Sequence, residues 1–275
     1  YSGKDIAFDF SGIRPAGARL KVMGGKASGP EPLRSLLAFA RERVLARQGR
    51  RLRNIDAHDI LCKIGECVVA GGVRRTAMIS LSDLDDVEMR DAKKGQFYMT
   101  DPHRSVSNNS AVYEMQPTNT ELMDEWVALM KSGSGERGIF NRGSLAKTLP
   151  KRRVDYFKKV GFIGTDGVVH GSIGTNPCAE IILQSKQFCN LSEVIARADD
   201  TEASLLRKAR LAAILGTYQS SLTDFKYNSK EWTEHNRVER LLGVSVTGQW
   251  DSPAARQPEV MRKVRDMAVK TNATY

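Results

Sequence analysis

Apolar residues recur along this chain at two spacings, and each spacing marks a kind of element. Leu33, Leu36, Leu37, Ala40 and Val44 follow a 3.6-residue repeat, which predicts a helix opening near Pro32. Ile60, Leu61, Ile64, Val68 and Val69 repeat the pattern and predict a second helix over 56–70, stopped by Gly71-Gly72. The run Ala77-Met78-Ile79-Ser80-Leu81 then reads as a strand. Helix, glycine loop and strand in that order is the grammar of an α/β fold. A further strand is expected at Ala111-Val112-Tyr113, a helix over 121–130, and a short strand at Gly138-Ile139-Phe140. Beyond Cys189 the pattern is mostly helical: 204–222, an amphipathic stretch from Glu231, and 259–271. Ahead of Pro30, short apolar pieces such as Ile6-Ala7-Phe8 alternate with Ser11-Gly12 and Gly24-Gly25, which reads as short strands and ordered loops. No repeat, low-complexity tract or Pro/Ser linker interrupts this order, so a single α/β unit is expected.

Composition narrows the class. With 275 residues, 41% hydrophobic and 27% charged, the chain is ordinary for a globular protein, and disorder, collagen and a disulfide-stapled scaffold are excluded. No apolar run approaches the roughly 20 residues that span a bilayer, which argues against an integral membrane protein. The chain opens on Tyr1 without a leader and closes on Tyr275 within a helical pattern, so it is expected to be a piece of a longer polypeptide. Lys and Arg number 42 against 32 Asp and Glu, a net charge of +10. The densest basic stretch, Arg41, Arg43, Arg47, Arg50, Arg51 and Arg53, reads as solvated surface or as a lure for phosphates. Nucleic-acid readers interleave aromatics with such cations for stacking, and none occurs between Phe39 and Phe97, which argues against nucleic acid.

The sharpest chemistry lies in Asn176-Pro177-Cys178-Ala179-Glu180. In an extended backbone, residues i, i+2 and i+4 share one face, about 6–7 Å apart. Asn176, Cys178 and Glu180 would then offer an amide, a thiol and a carboxylate to one small substrate, able to bind hydroxyls, move a proton and do sulfur chemistry. From the residues alone, a buried Cys at a strand start is the stronger alternative, because the nearest histidine is His170. Cysteines at 62, 67, 178 and 189 lack zinc spacing, and no metal site is expected, although His58 and Cys62 share a helix face. No phosphate loop or dinucleotide fingerprint is present. The loop Gly71-Gly72-Val73-Arg74-Arg75 suits phosphate or base contacts, or is a helix cap with solvated arginines.

At these residues the chain resembles the adenosylcobalamin-dependent (class II) ribonucleotide reductases, most nearly the monomeric triphosphate-reducing type. The stretches that carry the resemblance are Ile13-Arg14-Pro15-Ala16-Gly17, residues 24–33, residues 70–77, Ser107-Asn108-Asn109-Ser110, Thr175-Asn176-Pro177-Cys178-Ala179-Glu180-Ile181, and Cys189-Asn190-Leu191-Ser192-Glu193-Val194. They stand in the family's order and nearly at its spacing.

The resemblance implies a ten-stranded α/β barrel with a central finger loop carrying the catalytic Cys, of which residues 1–275 would be the central part. It implies that Cys178 becomes a thiyl radical and abstracts the ribose 3′ hydrogen, that Glu180 takes the 3′-hydroxyl proton, and that Asn176 holds the ribose hydroxyls. Cys189 would be one of the two thiols oxidised as the 2′-hydroxyl leaves. Gly71, Gly72, Val73, Arg74 and Arg75 would form the specificity loop, and Ser107, Asn108, Asn109 and Ser110 would line the substrate pocket. Implied partners are adenosylcobalamin, a ribonucleotide substrate, a nucleotide effector and a thioredoxin-like reductant, in the cytoplasm. The family's other redox cysteine is expected upstream of this chain, and its Pro-Ser-Gly-Thr phosphate segment and C-terminal cysteine pair downstream, so the chain by itself should not turn over. Two readings stand beside this one: a class I-type large-subunit fragment served by a metallo-subunit, and an inactive assembly or nucleic-acid-binding fragment.

Overall fold

The computed structural model describes residues 6–21, 24–70, 72, 76–170 and 173–275. Its contacts fall into two compact units, Tyr1–Glu180 and Ile181–Tyr275, where the sequence pattern suggested one.

The first unit opens with no strand over Ile6-Ala7-Phe8. Its leading segment has a single antiparallel bridge, Arg19 with Lys26, because turns dominate these residues. Helices α1 (Glu31–Ala46) and α2 (Asn54–Val69) follow close to their predicted bounds. The side that α2 buries differs from the expected one. Leu61, Ile64 and Val68 are exposed, whereas Asp56, His58, Asp59 and Cys62 are buried. The polar side can be buried because it is paired. Arg104 grips Asp59 through two bonds of 2.6 and 2.9 Å, and Arg53 reaches Asp56 at 2.8 Å. Arg43 and Arg47 lie 3.4 and 3.6 Å from Asp59 and Asp56, so part of the basic run is spent on carboxylates of this same unit.

Strands β1 (Met78–Ser82), β2 (Ser107–Tyr113) and β3 (Gly138–Asn141) form a parallel sheet in sequence order. Met78 stands opposite Ser107, and Ser110 opposite Gly138. Parallel neighbours need crossovers. Residues 83–106 supply the first with short helical turns, and α3 (Asn119–Ser132) supplies the second. Thr118 starts α3 as a capping box with Glu121, and Gly133, at φ 71°, ends it. Arg137, 2% exposed, ties α3 to the end of β1: it bonds Glu125 at 2.7 and 3.0 Å and the Ser82 hydroxyl at 2.8 Å. A basic helix, α4 (Lys151–Lys159), anchors itself on the fully buried Phe157, and β4 (Ile173–Thr175) closes the unit.

The second unit holds β5 (Ile182–Gln184), β6 (Asn190–Ile195), α5 (Glu202–Ser221), α6 (Lys230–Glu239), β7 (Leu242–Thr247) and α7 (Pro258–Thr274). The helices match the expected helical stretches, while β6 and β7 are not among the expected elements, and they pair in parallel from Asn190–Leu242 to Ile195–Thr247. Helices α5 and α7 pack around Ala196, Leu205, Ala209, Ala255, Val260 and Val264. After β7 the chain passes so close to Ala196 that a Cβ on Gly248 would meet its carbonyl oxygen at 2.4 Å, and φ there is +73°. Only glycine suits that position.

Candidate active site

The two faces of β2 do different work. Ser107 and Asn109 point to the side covered by α2, and both are buried. The Asn109 Oδ1 accepts from the Ser107 hydroxyl at 3.0 Å and from His58 Nε2 at 3.3 Å. The Asn109 amide N–H, which lies one residue short of the β3 ladder, donates instead to Glu136 at 2.7 Å. Lys93, 5% exposed, binds the other oxygen of Glu136 at 2.7 Å and donates to the Ser107 carbonyl. The Lys93–Glu136 pair therefore fixes the start of β2 on the edge where the β3 ladder has not yet begun.

Behind this lattice, burial alone would raise the Asp59 carboxyl. The two bonds from Arg104, with the His103 and His58 rings at 3.1 and 3.6 Å, outweigh it and hold the group far below the usual carboxylate range. Burial, reinforced by the Asp59 charge, pushes the Cys62 thiol up to about 12, so this cysteine is an inert core group. Asp59, Asp101 and His103 form the one carboxylate–histidine group among the described residues that could surround a cation. Asp59 is already gripped by Arg104, with Arg43 beside it, and those guanidiniums would face any cation.

The opposite face of β2 carries Asn108, which is exposed, and Ser110. The Asn108 Nδ2 donates to the carbonyl of Pro177 at 2.8 Å. Upstream of Pro177, Arg142, just past β3, donates to the Ile173 carbonyl at 2.9 Å and pairs with Glu114 at 2.5 Å. A Cβ on Gly174 would lie 3.3 Å from Leu81 of β1. Residues 173–177 thus run from the carboxyl ends of the strands back toward the start of β2, held by a group from or beside each strand.

The Asn-Pro-Cys-Ala segment itself departs from the extended geometry expected of it. The Ala179 N–H bonds the Asn176 carbonyl at 2.9 Å, closing a β-turn with Pro177 at its first central position. Proline favours that position because its ring presets φ. Ala179 stands at φ 67°, a left-handed conformation unusual for a residue with a side chain. Alternation along a strand therefore does not bring Asn176, Cys178 and Glu180 onto one face. Asn176 is 6% exposed, with its Oδ1 3.3 Å from the Thr175 hydroxyl, while Cys178 and Glu180 are exposed.

Cys189 belongs to the second unit, just before β6. Asn236 accepts from the N–H of Phe188 at 2.8 Å, and the Asn190 side chain donates to the Leu241 carbonyl at 3.0 Å, so the residues on both sides of Cys189 are fixed. Phe188 packs between Phe225 and Trp232, at 4.8 and 4.7 Å between ring centroids. A cavity of about 260 Å³ opens beside Cys189, bordered also by Leu222 and Phe225. Of the glycine–arginine loop, Gly72 is exposed at φ +72°, and Gly71, Val73, Arg74 and Arg75 lie outside the described residues. Sequence reasoning missed Lys93, Glu136 and Arg142, whose partners lie 14 to 43 residues away without any pattern between them.

No family model matches the chain. Among curated proteins it is 35% identical over 246 residues to the adenosylcobalamin-dependent ribonucleoside-triphosphate reductases of Lactobacillus delbrueckii subsp. bulgaricus and Lactobacillus leichmannii. It is 33% identical over 255 residues to the reductase of that name from Lactobacillus gasseri. Each match covers 90% of this chain but 31% of the relative, so the chain spans about a third of the length of the proteins it matches. The resemblance carried by six short stretches thus extends over nearly the whole chain: it is similar to one segment of the adenosylcobalamin-dependent ribonucleoside-triphosphate reductases.

Proposed function

We propose that this chain is the central part of the catalytic barrel of a ribonucleotide reductase, and that Cys178 is its radical-bearing residue. The observation that carries the reading is the Asn-Pro-Cys-Ala turn: an exposed thiol on a closed turn, whose approach is bonded at the Ile173 carbonyl by Arg142, just past β3, and at the Pro177 carbonyl by Asn108 of β2. The relatives' names favour adenosylcobalamin over a separate metallo-subunit. The donor set suits that cofactor, since a sulfhydryl that is to lose a hydrogen atom must be reduced, accessible and fixed, and Cys178 is exposed and outside any disulfide. When bound, adenosylcobalamin supplies one-electron chemistry that removes a hydrogen atom from a thiol.

Cys178, as a sulfur radical, takes the hydrogen atom from C3′ of a ribonucleotide. Glu180 accepts the 3′-hydroxyl proton, and Asn176 orients the ribose hydroxyls. The bond from C2′ to its oxygen then breaks and the oxygen leaves as water. Cys189 and a second thiol, which the resemblance puts upstream, supply two electrons and two protons and become a disulfide; one proton leaves with the oxygen as water, the other forms the new C2′–H bond, and Glu180 returns its proton to the 3′-oxygen. Cys178 finally returns its hydrogen to C3′. A nucleotide effector at the 71–75 loop and a thioredoxin-like reductant complete the cycle, in the cytoplasm. No described helix is long and apolar enough to cross a membrane.

In the intact reductase, electron paramagnetic resonance after rapid mixing with adenosylcobalamin, effector and reductant should reveal a thiyl signal that vanishes in Cys178→Ala. A full signal in that variant would overturn the assignment.

A further inference from the structure

We infer that Asn108 is a positioning residue for the Cys178 turn, an inference that rests on the reading of Cys178 as the radical carrier. The carbonyl that Asn108 holds, Pro177 O, belongs to the peptide whose nitrogen is that of Cys178. A planar peptide gripped at its oxygen has lost its freedom to rotate, and with it goes much of the freedom of the Cys178 Cα–Cβ direction. The strand that presents Asn108 is itself held on both sides: Lys93 takes the Ser107 carbonyl and Glu136 the Asn109 N–H. The neighbouring Asn109 side chain is locked by His58 and Ser107. Asn108 thus stands between two fixed residues and reaches across from the sheet to the turn.

The opposite end of residues 173–177 is held by Arg142, so the segment is bonded at both ends. Hydrogen-atom transfer is steep in distance, and a misplacement of about 1 Å can cost on the order of a hundredfold in rate. Asn108 in this role acts on the rate of the chemical step through Cys178, without touching the nucleotide.

The test compares Asn108→Asp and Asn108→Leu with wild type in the intact reductase. Both variants keep the branched shape of asparagine and remove its donor, and Asp adds a charge facing the Pro177 carbonyl. Hydrogen exchange of the cofactor-free protein is expected to quicken about tenfold at the Ala179 amide, which closes the turn, and to stay unchanged at the β2 amides. In turnover, kcat should fall about 10- to 100-fold while KM for the nucleotide moves less than about twofold. Wild-type exchange at Ala179 in Asn108→Asp would overturn the proposal, and so would a raised KM with kcat retained, which would make Asn108 a substrate contact. Quickened exchange across β2 as well would overturn it in favour of a purely structural role. Because the exchange measurement needs no turnover, it stands apart from the assignment of Cys178, which an active Cys178→Ala enzyme would refute on its own.

Discussion

The two compact units keep their shapes by opposite means. Around β2, the first unit buries Asp59, Lys93, Arg137 and Glu125, each satisfied by partners at fixed distances. The main cluster of the second unit is aliphatic, built from Ala, Leu and Val on α5, α7 and the end of β6. Apolar burial is strong but has no direction, whereas a hydrogen bond weakens steeply when it is bent. The sheet that carries the Cys178 turn is built with the directional kind, and buried ion pairs of this sort are better explained by the geometry they impose than by net stability.

That contrast can be broken most forcefully at Glu125. Glu125→Ala leaves the Arg137 guanidinium buried without its carboxylate, and should cost about 3–5 kcal/mol in urea unfolding. A loss under about 1 kcal/mol would mean that this pair does not hold α3 to β1. In the second unit, Leu205→Ala should cost about 2–5 kcal/mol, through lost burial and the cavity left among Ala196, Ala209 and Val260. That loss should be the same at pH 5 and pH 8, and a marked pH dependence would show charge where none is described.

Acid provides a third test. Native Asp59 binds fewer protons than its unfolded counterpart, so its contribution is complete above about pH 4 and is lost as acid drives protons onto the native carboxylate. Hydrogen exchange in residues 54–113 should therefore quicken below about pH 4, while exchange in α5 and α7 responds less. In Asn substituted for Asp59 (Asp59→Asn), that acid dependence should flatten, and an unchanged slope would assign it to other carboxylates. The smallest effect is expected at the cap of α5. The Thr201 hydroxyl accepts the Ser204 N–H at 3.3 Å, and Thr201→Ala should cost about 1 kcal/mol, read as faster exchange in the first turn alone.

Much of the first unit was legible in the sequence. The helices α1, α2 and α3 and the strands β1 and β3 follow from periodicity and glycine stops, whereas β2 begins four residues before the expected Ala111-Val112-Tyr113, because Ser107 to Ser110 carry no apolar signal. The buried side of α2 was not, because a pattern of apolar residues cannot reveal that Arg104, 45 residues away, will satisfy Asp59. Strands β6 and β7 escaped notice because Asn190, Ser192 and Glu193 in one, and Gly243 and Ser245 in the other, dilute the apolar signal. In the candidate site, the motif named its residues but misled on geometry. Asn-Pro is itself a turn signal, and alternation along a strand cannot survive a residue at positive φ. The Asn108–Pro177 bond joins positions 69 apart, and no local pattern announces it.

Ala179 has a consequence for reading other sequences. A left-handed backbone costs an L-residue roughly 1–2 kcal/mol; glycine escapes the cost, Asn and Asp adopt it more often than other residues, and β-branched Val, Ile or Thr are outliers there. The position between cysteine and glutamate is therefore selective: Gly, Asn or Asp would relax the strain that Ala carries there, and a β-branched residue would deepen it. A stretch that reads Asn-Pro-Cys-Val-Glu would share the letters of the motif and hold the turn that presents its thiol less firmly.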